Sequence, residues 1–438
     1  MTDAPAPPPP GSARGPRLVR GALGVLVLLA SGWPVINHYL LQFPDEIWLV
    51  DLEVYREGAR SLVEGRPVYD WLTDNPQYLP FTYPPFAALM GTVMLLAPFP
   101  VIGWLWTAMQ FALLWVCTGI AFRPFLARFP RRHALVQGAV AAVLIHLQPL
   151  QEGIRFGQVN SILVTLCLVD VARRRAGWWP RGSLTGIAAA VKLTPAVFWV
   201  HYALARRWRA LGVSVGVAAA ATLLTAVISP SSSAAYWTDA LLDPGRLGPN
   251  ANTANQSMRG VLLRTGLLPE GSHRLTAVWL LLVVVVAVFG FRLALRLDRL
   301  EEPVAVVGVL GMLAVLLSPV SWVHHVHWGI VVIGALLGDA RVPRRVLAAL
   351  AGTTMLWFNL PWDGYSWERH HDWTRYPGYV LEQGYCWFAL LALLATWWLL
   401  ARSGRRPGPT SAAGPPLPEP ARSASATGRT DPSPVPRR

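Results

Sequence analysis

Residues 51–85 read DLEVYREGARSLVEGRPVYDWLTDNPQYLPFTYPP, an island of carboxylates, aromatics and turn residues in a chain that is otherwise strongly apolar. From His38 to Tyr83 the acids run Asp45, Glu46, Asp51, Glu53, Glu57, Glu64, Asp70 and Asp74, against the bases Arg56, Arg60 and Arg66. The chain as a whole carries a formal charge of +14, so this local reversal calls for a cause. The surroundings fix the fold class. Of 438 residues, 53% are hydrophobic and 14% charged, with a mean hydropathy of +0.38, whereas soluble domains carry roughly 25% charged residues. The composition is that of an all-α polytopic membrane protein with the acidic stretch in its first long loop, residues 38–83.

The excess of 38 basic over 24 acidic residues does not point to nucleic acid. Its arginines stand between apolar runs and in the tails rather than on one amphipathic face. Cys117, Cys167 and Cys386 all lie inside apolar segments, so neither a disulfide framework nor a cysteine metal site is indicated. Residues 1–17 are Pro-rich and basic and read as a disordered leader. The apolar run after it, from about Leu18 to Leu41, exceeds a signal-peptide core of ~7–15 residues and reads as an uncleaved anchor. Residues 403–438, rich in Pro, Ser, Ala and Arg, read as a disordered tail. The membrane domain is expected to span 18–402.

Arginine placement orients the spans, because cytoplasmic loops concentrate Lys and Arg near helix ends. Arg14, Arg17 and Arg20 put the N-terminus inside and the acidic loop outside. The segment Tyr83–Pro98 is short against the ~20 helical residues a bilayer needs, so it is expected to be re-entrant or interfacial. Val101–Phe122 then crosses to a basic loop, His133–Gln151 returns outward, and Ser161–Val171 comes back after the polar break QEGIRFGQVN. Arg181–Ala205 is too short for two spans yet has basic clusters at both ends. It is expected to form two short helices meeting at Lys192-Leu193-Thr194-Pro195, since proline disfavours helix in the residue before it. The remaining runs give about twelve crossings with both termini inside. Every polar break then falls on one face, including Ser229–His273, SPVSWVHHVHW and the aromatic stretch PWDGYSWERHHDW.

Several groups on that face invite chemistry. A carboxylate such as Asp51, just past the first span, suits a general base that takes a proton from a sugar hydroxyl. Equally, Leu52, Tyr55, Ala59 and Leu62 recur at helical spacing, so the acids fit the polar side of an interfacial helix. Lys192 is the chain's single lysine, and a cation at membrane depth is a functional hypothesis by default; it suits a lipid phosphate, or it snorkels to an interface. Arg155, Gln158 and Asn160 offer donors to phosphate or sugar hydroxyls, unless Asn160 is simply the N-cap of the next helix. His324, His325 and His327 lack an acidic or fourth ligand nearby, so no metal is assigned. Asn255, Gln256 and Arg259 lie in a polar loop, where binding residues concentrate, and the aromatics of residues 362–373 fit an interfacial belt as well as a sugar platform.

The ordered set DLxVYxxGA, GxPxYD, FTYPPFAAL, GQVN, GxxxAxKLTPAxF, NQS and SPVSWVHHV resembles the bacterial polyprenyl-phosphate-mannose-dependent α-mannosyltransferases of the GT-C superfamily, over about residues 45–330. The resemblance implies a GT-C helical bundle in the bacterial plasma membrane with an extracytoplasmic active site. It also implies a polyprenyl-phosphate-sugar donor, a glycolipid or polysaccharide acceptor, inversion to an α-mannoside and no cofactor. By that resemblance Asp51 is the catalytic base and one of His324 and His325 belongs to the active site. The donor phosphate falls to Lys192 and Arg155 by charge, and Tyr83, Gln158, Asn160, Asn255, Gln256 and Arg259 are expected at the substrates. The alternatives are a polyprenyl-phosphate-arabinose-dependent arabinofuranosyltransferase and, from another class, a lipid or sugar transporter or flippase. Transporters often carry internal repeats with broken helices, and no convincing halves are visible in this sequence.

Overall fold

A computed structural model describes residues 14–42, 48–73, 78–173, 178–370 and 373–402. The tail 403–438 and the leader up to residue 13 lie outside the described residues, as do Asp45, Glu46, Asp74, Arg174, Arg175, His371 and Asp372. The first helix starts at Arg14, so residues 14–17, expected in the disordered leader, are helical. Among the described residues the regular structure is helical, with two isolated bridges, Leu72 with Pro80 and Asn255 with Trp322, and turns between the helices. That agrees with the expected class: in hydrocarbon a helix satisfies its own backbone polar groups, and few other structures do.

By length and composition five helices suit a membrane crossing: Val19–Leu41, Phe99–Ala121, Trp208–Ile228, His273–Arg299 and Gly384–Ala401. A sixth candidate is the bent pair His133–Leu144 and Gln148–Phe156, whose axes turn by 81°. Pro85–Leu96, Asn160–Ala172, Pro303–Leu317 and Val323–Leu337 are apolar but shorter. The expected dozen crossings would have to count such short helices as well.

Burial separates two kinds of apolar helix. Pro303–Leu317 is buried along nearly its whole length and packs against His273–Arg299, Gly329–Leu337, Gly384–Thr396 and Asn160–Ala172. A helix that is hydrophobic all round and covered all round is a core element. In the window of His273–Arg299 only 17% of residues are buried, leaving an apolar surface suited to lipid. Small residues bring some helices into contact, as the membrane setting favours. Gly24 and Gly138 meet so closely that a Cβ on Gly138 would lie 2.1 Å from the Gly24 carbonyl oxygen.

Three local features differ from the sequence reading. The polar break after residue 147 is itself a helix, Gln148–Phe156, with a Pro in its first turn and left-handed Gly157 closing it. The aromatic stretch near the C-terminus is not a loop: Leu360–Glu368 is helical and packs against Arg375–Glu382. Asn160 is not an N-cap but the first residue of its helix, and no side chain caps that end.

The segment around Lys192 forms as expected. Ser183–Val191 ends at Lys192, which is extended, and Val197–Leu204 follows a single 3-10 turn containing Pro195. Thr185 Oγ1 near the start of the first arm lies 3.3 Å from Tyr202 Oη near the end of the second. The far ends of the two arms therefore meet, and the segment is a helical hairpin with Lys192 at its tip. Each arm is about 13 Å long at 1.5 Å per residue, well short of a bilayer. Asp170 anchors the hairpin base, its carboxylate accepting from the Gly182 and Thr185 amides and from Thr185 Oγ1.

Candidate active site

Asp51 stands in the first turn of Val50–Val63, an amphipathic helix in the first loop. Leu52, Val54, Tyr55, Ala59 and Leu62 form its buried face, so the helical spacing did locate a packed helix. Leu49, fully buried, holds a left-handed backbone with φ of 52° just before it. A non-glycine residue there costs of order 1 kcal/mol or more, and such strain collects at functional sites.

The GQVN turn meets this helix because of its glycine. Gly157 has φ of +70°, and a Cβ there would lie 2.7 Å from Leu52 Cβ. Only a residue without a side chain lets the turn come so near. Gln158 Nε2 then donates to Asp51 Oδ2 at 2.5 Å. Its Oε1 accepts from Tyr55 Oη at 3.2 Å and from Asn160 Nδ2 at 3.3 Å. Asn160 Nδ2 also donates to the His324 carbonyl, and its Oδ1 accepts from Lys192 Nζ at 3.4 Å. Lys192 Nζ lies 2.8 Å from His325 Nε2, while His325 Nδ1 accepts from the Trp322 amide. Tyr83 completes the cluster, with its hydroxyl 3.0 Å from that of Tyr55 and its ring 5.2 Å from Lys192 Nζ.

The structure thus joins five separate stretches around one carboxyl group. Burial pushes the Asp51 pKa up to about 6, while the Gln158 hydrogen bond and the Lys192 charge pull it down. At neutral pH the group is an anion with a basicity suited to accepting a proton. Between the two histidines the geometry discriminates: the His325 ring touches Lys192, and His324 enters through its carbonyl, its own Nε2 buried without a hydrogen-bond partner.

Other expected residues sit differently. Arg155 lies on Gln148–Phe156 with Nη1 3.4 Å from Glu152 Oε1, its guanidinium over the Tyr39 and Phe156 rings. Asn255 and Gln256 are fully buried and spend their amides on backbone. Asn255 Oδ1 accepts from the Ser321 and Ser257 amides and Nδ2 donates to the Asn250 carbonyl. Gln256 Nε2 donates to the Thr253 and Glu382 carbonyls, and its Oε1 accepts from the Tyr385 and Cys386 amides. These two pin the histidine segment and the last helix to the second long loop, residues 229–273, rather than facing a ligand. Arg259 lies 3.9 Å from Glu270. Sequence reasoning missed Tyr55 and Glu152. Tyr55 had a signal, since Asp51 and Tyr55 are four apart and share a helix face. Glu152 had only its place in the polar stretch.

A cation at a hairpin tip, a half-buried carboxylate and amide side chains on a helical membrane scaffold define a membrane enzyme built to handle an anionic, hydroxyl-bearing substrate. The sequence profile described as Glycosyltransferase family 87 matches residues 81–319. The chain is 32% identical, over 88% of its length and 91% of the relative's, to a polyprenol-phosphate-mannose-dependent alpha-(1-2)-phosphatidylinositol mannoside mannosyltransferase of Mycobacterium tuberculosis. It is 32% identical, over 83% of its length and 86% of the relative's, to a polyprenol-phosphate-mannose-dependent alpha-(1-2)-phosphatidylinositol pentamannoside mannosyltransferase of Mycolicibacterium smegmatis. No solved structure matches the chain. The chain belongs to glycosyltransferase family 87.

Proposed function

We propose that the protein transfers mannose from a polyprenyl-phosphate-mannose donor to a hydroxyl of a mannosylated phosphatidylinositol-type glycolipid, with inversion to an α-mannoside, at the outer face of the plasma membrane. The observation that carries this reading is the convergence of Asp51, Gln158, Asn160, Lys192 and His325 into one hydrogen-bonded cluster. The relatives' names favour mannose over arabinose and transfer over transport.

The chemistry follows from the parts. The acceptor oxygen attacks the anomeric carbon as the bond from that carbon to the phosphate oxygen breaks, and the acceptor proton passes to Asp51. A positioned base contributes about 10²–10⁴-fold. Gln158 holds the carboxylate by one oxygen, which leaves Oδ1 for the acceptor. The phosphate leaves with the bonding electrons, and Lys192 at the hairpin tip meets its growing charge. The His325 ring packs against Lys192 Nζ, and Tyr83 and Asn160 line the same space. Arg155 would have to give up Glu152 to reach the phosphate, so its share is smaller. Asn255 and Gln256 position the His325 segment.

Purified protein supplied with labelled polyprenyl-phosphate-mannose and a mannosylated phosphatidylinositol tests the reading. Wild type transfers label and Asp51→Asn does not. Transfer from the arabinose-bearing donor in place of the mannose one would overturn the donor assignment, and undiminished transfer by Asp51→Asn would overturn the base.

A further inference from the structure

At the far end of the Lys192 hairpin lies a second charged site, a cleft of about 790 Å³. It opens where the two arms begin and end, beside the end of Asn160–Ala172 and the start of Trp208–Ile228. One arm, about 13 Å at 1.5 Å per residue, separates it from Lys192. Its lining includes Arg173, Arg181, Arg206, Arg207 and Arg209, with Trp178, Trp179 and Trp208 among them.

The charges in this cleft do not balance. Asp170 holds the hairpin base through Oδ2, its Oδ1 buried without a hydrogen-bond partner, and Asp298 is paired with Arg207 at 2.5 Å. Arg173 and Arg181 donate to the Trp179, Val171 and Arg173 carbonyls, contacts that orient a guanidinium without neutralising it. The Arg173 Nε is buried with no hydrogen-bond partner. Arg206 holds a left-handed backbone at φ of 56°. Among the described residues five guanidiniums face the Asp170 carboxylate and the Asp298 paired with Arg207, so the cleft keeps a net positive charge that attracts an anion.

The aromatic residues say which kind of anion. Trp178 is 93% exposed and Trp208 62% exposed. Large amphipathic rings left open beside arginines are at home at headgroup depth, where Trp anchors membrane proteins. Basic pockets between spans on the cytoplasmic side are fitted to phosphate headgroups, and guanidinium matches phosphate through paired N–H groups.

We propose that this cleft binds the headgroup phosphate of an anionic phospholipid from the cytoplasmic leaflet. The bound lipid sits on the opposite side of the hairpin from the transfer reaction and holds the hairpin base in place. None of the cleft's arginines belongs to the Asp51 cluster.

The test reconstitutes the full chain in phosphatidylcholine nanodiscs with or without phosphatidylglycerol and counts lipids retained, by native mass spectrometry after mild extraction. Arg206→Gln/Arg209→Gln removes two exposed charges from the cleft, and Arg341→Gln/Arg344→Gln removes two exposed charges elsewhere. Wild type and the second pair are expected to retain phosphatidylglycerol, and the first pair to lose it by about tenfold or more. Mannosyl transfer in neutral detergent is expected to be unchanged in both. Equal retention by wild type and Arg206→Gln/Arg209→Gln overturns the proposal. So does equal loss in the Arg341→Gln/Arg344→Gln control, which would mean general charge attraction. Displacement of the lipid by millimolar inorganic phosphate would also overturn it, by making the cleft a free-phosphate site.

Discussion

Asp51 carries the sharpest consequences because its environment works against its charge. The ordinary carboxyl value of 3.8 is raised to about 6 in the fold, so the folded protein holds the proton more tightly than the unfolded chain does. The sign follows from linkage: as pH rises from about 4 through about 6, ionising this group takes stability away. Activity runs the other way, since the base acts only when ionised. The rate of transfer is therefore expected to climb along a limb centred near pH 6, measured as kcat/KM on the free enzyme. Asp51→Asn is expected to lose about 10²–10⁴-fold in rate and to melt at a higher temperature than wild type above pH 6, the trade expected of a strained site. A variant that lost both activity and thermal stability would point to a structural role. Lys192 gives a second contrast. Lys192→Met is expected to raise the donor Kd more than Arg155→Met, because Arg155 is already paired with Glu152 and Lys192 faces the cluster.

Between single residues and the whole bundle stand the elements that carry them, and the two long loops are fastened to each other near the site. Arg246 donates through Nη2 to the Tyr69 carbonyl, the Tyr69 ring stacks on Tyr236 at 5.8 Å, and the Tyr69 hydroxyl donates to the Tyr83 carbonyl at 2.9 Å. Tyr83 in turn sits over Lys192. Removing either link should shift Tyr83. Arg246→Met and Tyr69→Phe are each expected to lower kcat several-fold with little change in KM, and the double variant to be no worse than the poorer single, as members of one chain are non-additive. Full additivity would show that the links act separately. The sequence made the Lys192 hairpin legible, because basic clusters at both ends and one proline left few other folds for that length. It did not show that Asn255 and Gln256 face backbone. An amide in a polar loop reads the same whether it meets a ligand or pins the Ser321 and Tyr385 segments, and partners 66 and 129 positions away leave no local trace. The histidines were ambiguous for the same reason, since neighbours in sequence differ in which ring the fold turns toward Lys192.

At the scale of the molecule, helix length is the main discrepancy between pattern and structure. Counting apolar runs treats each as a crossing, but Pro303–Leu317 and Asn160–Ala172 have only 15 and 13 residues and lie inside the bundle. A helix covered by others need not match the ~30 Å of hydrocarbon that sets the length of an exposed one. Sidedness is less sensitive to such miscounting, since it rests on where the arginines and the polar stretches fall. The cluster itself requires the first loop and the hairpin tip to open to one compartment, because Gln158 and Asn160 link Asp51 to Lys192. Single cysteines can test this in a background where the buried Cys117, Cys167 and Cys386 are replaced by serine or alanine. Asp70→Cys, exposed in the first loop, is expected to react with an impermeant maleimide on intact cells. Lys192→Cys is expected to react from the same side with a small charged thiosulfonate, and more slowly when the donor lipid is present. Arg341→Cys, exposed just before Pro343–Trp357, is expected to react only after permeabilisation. Labelling of positions 70 and 192 from opposite sides would separate the base from the phosphate-binding cation, and no single site could then contain both.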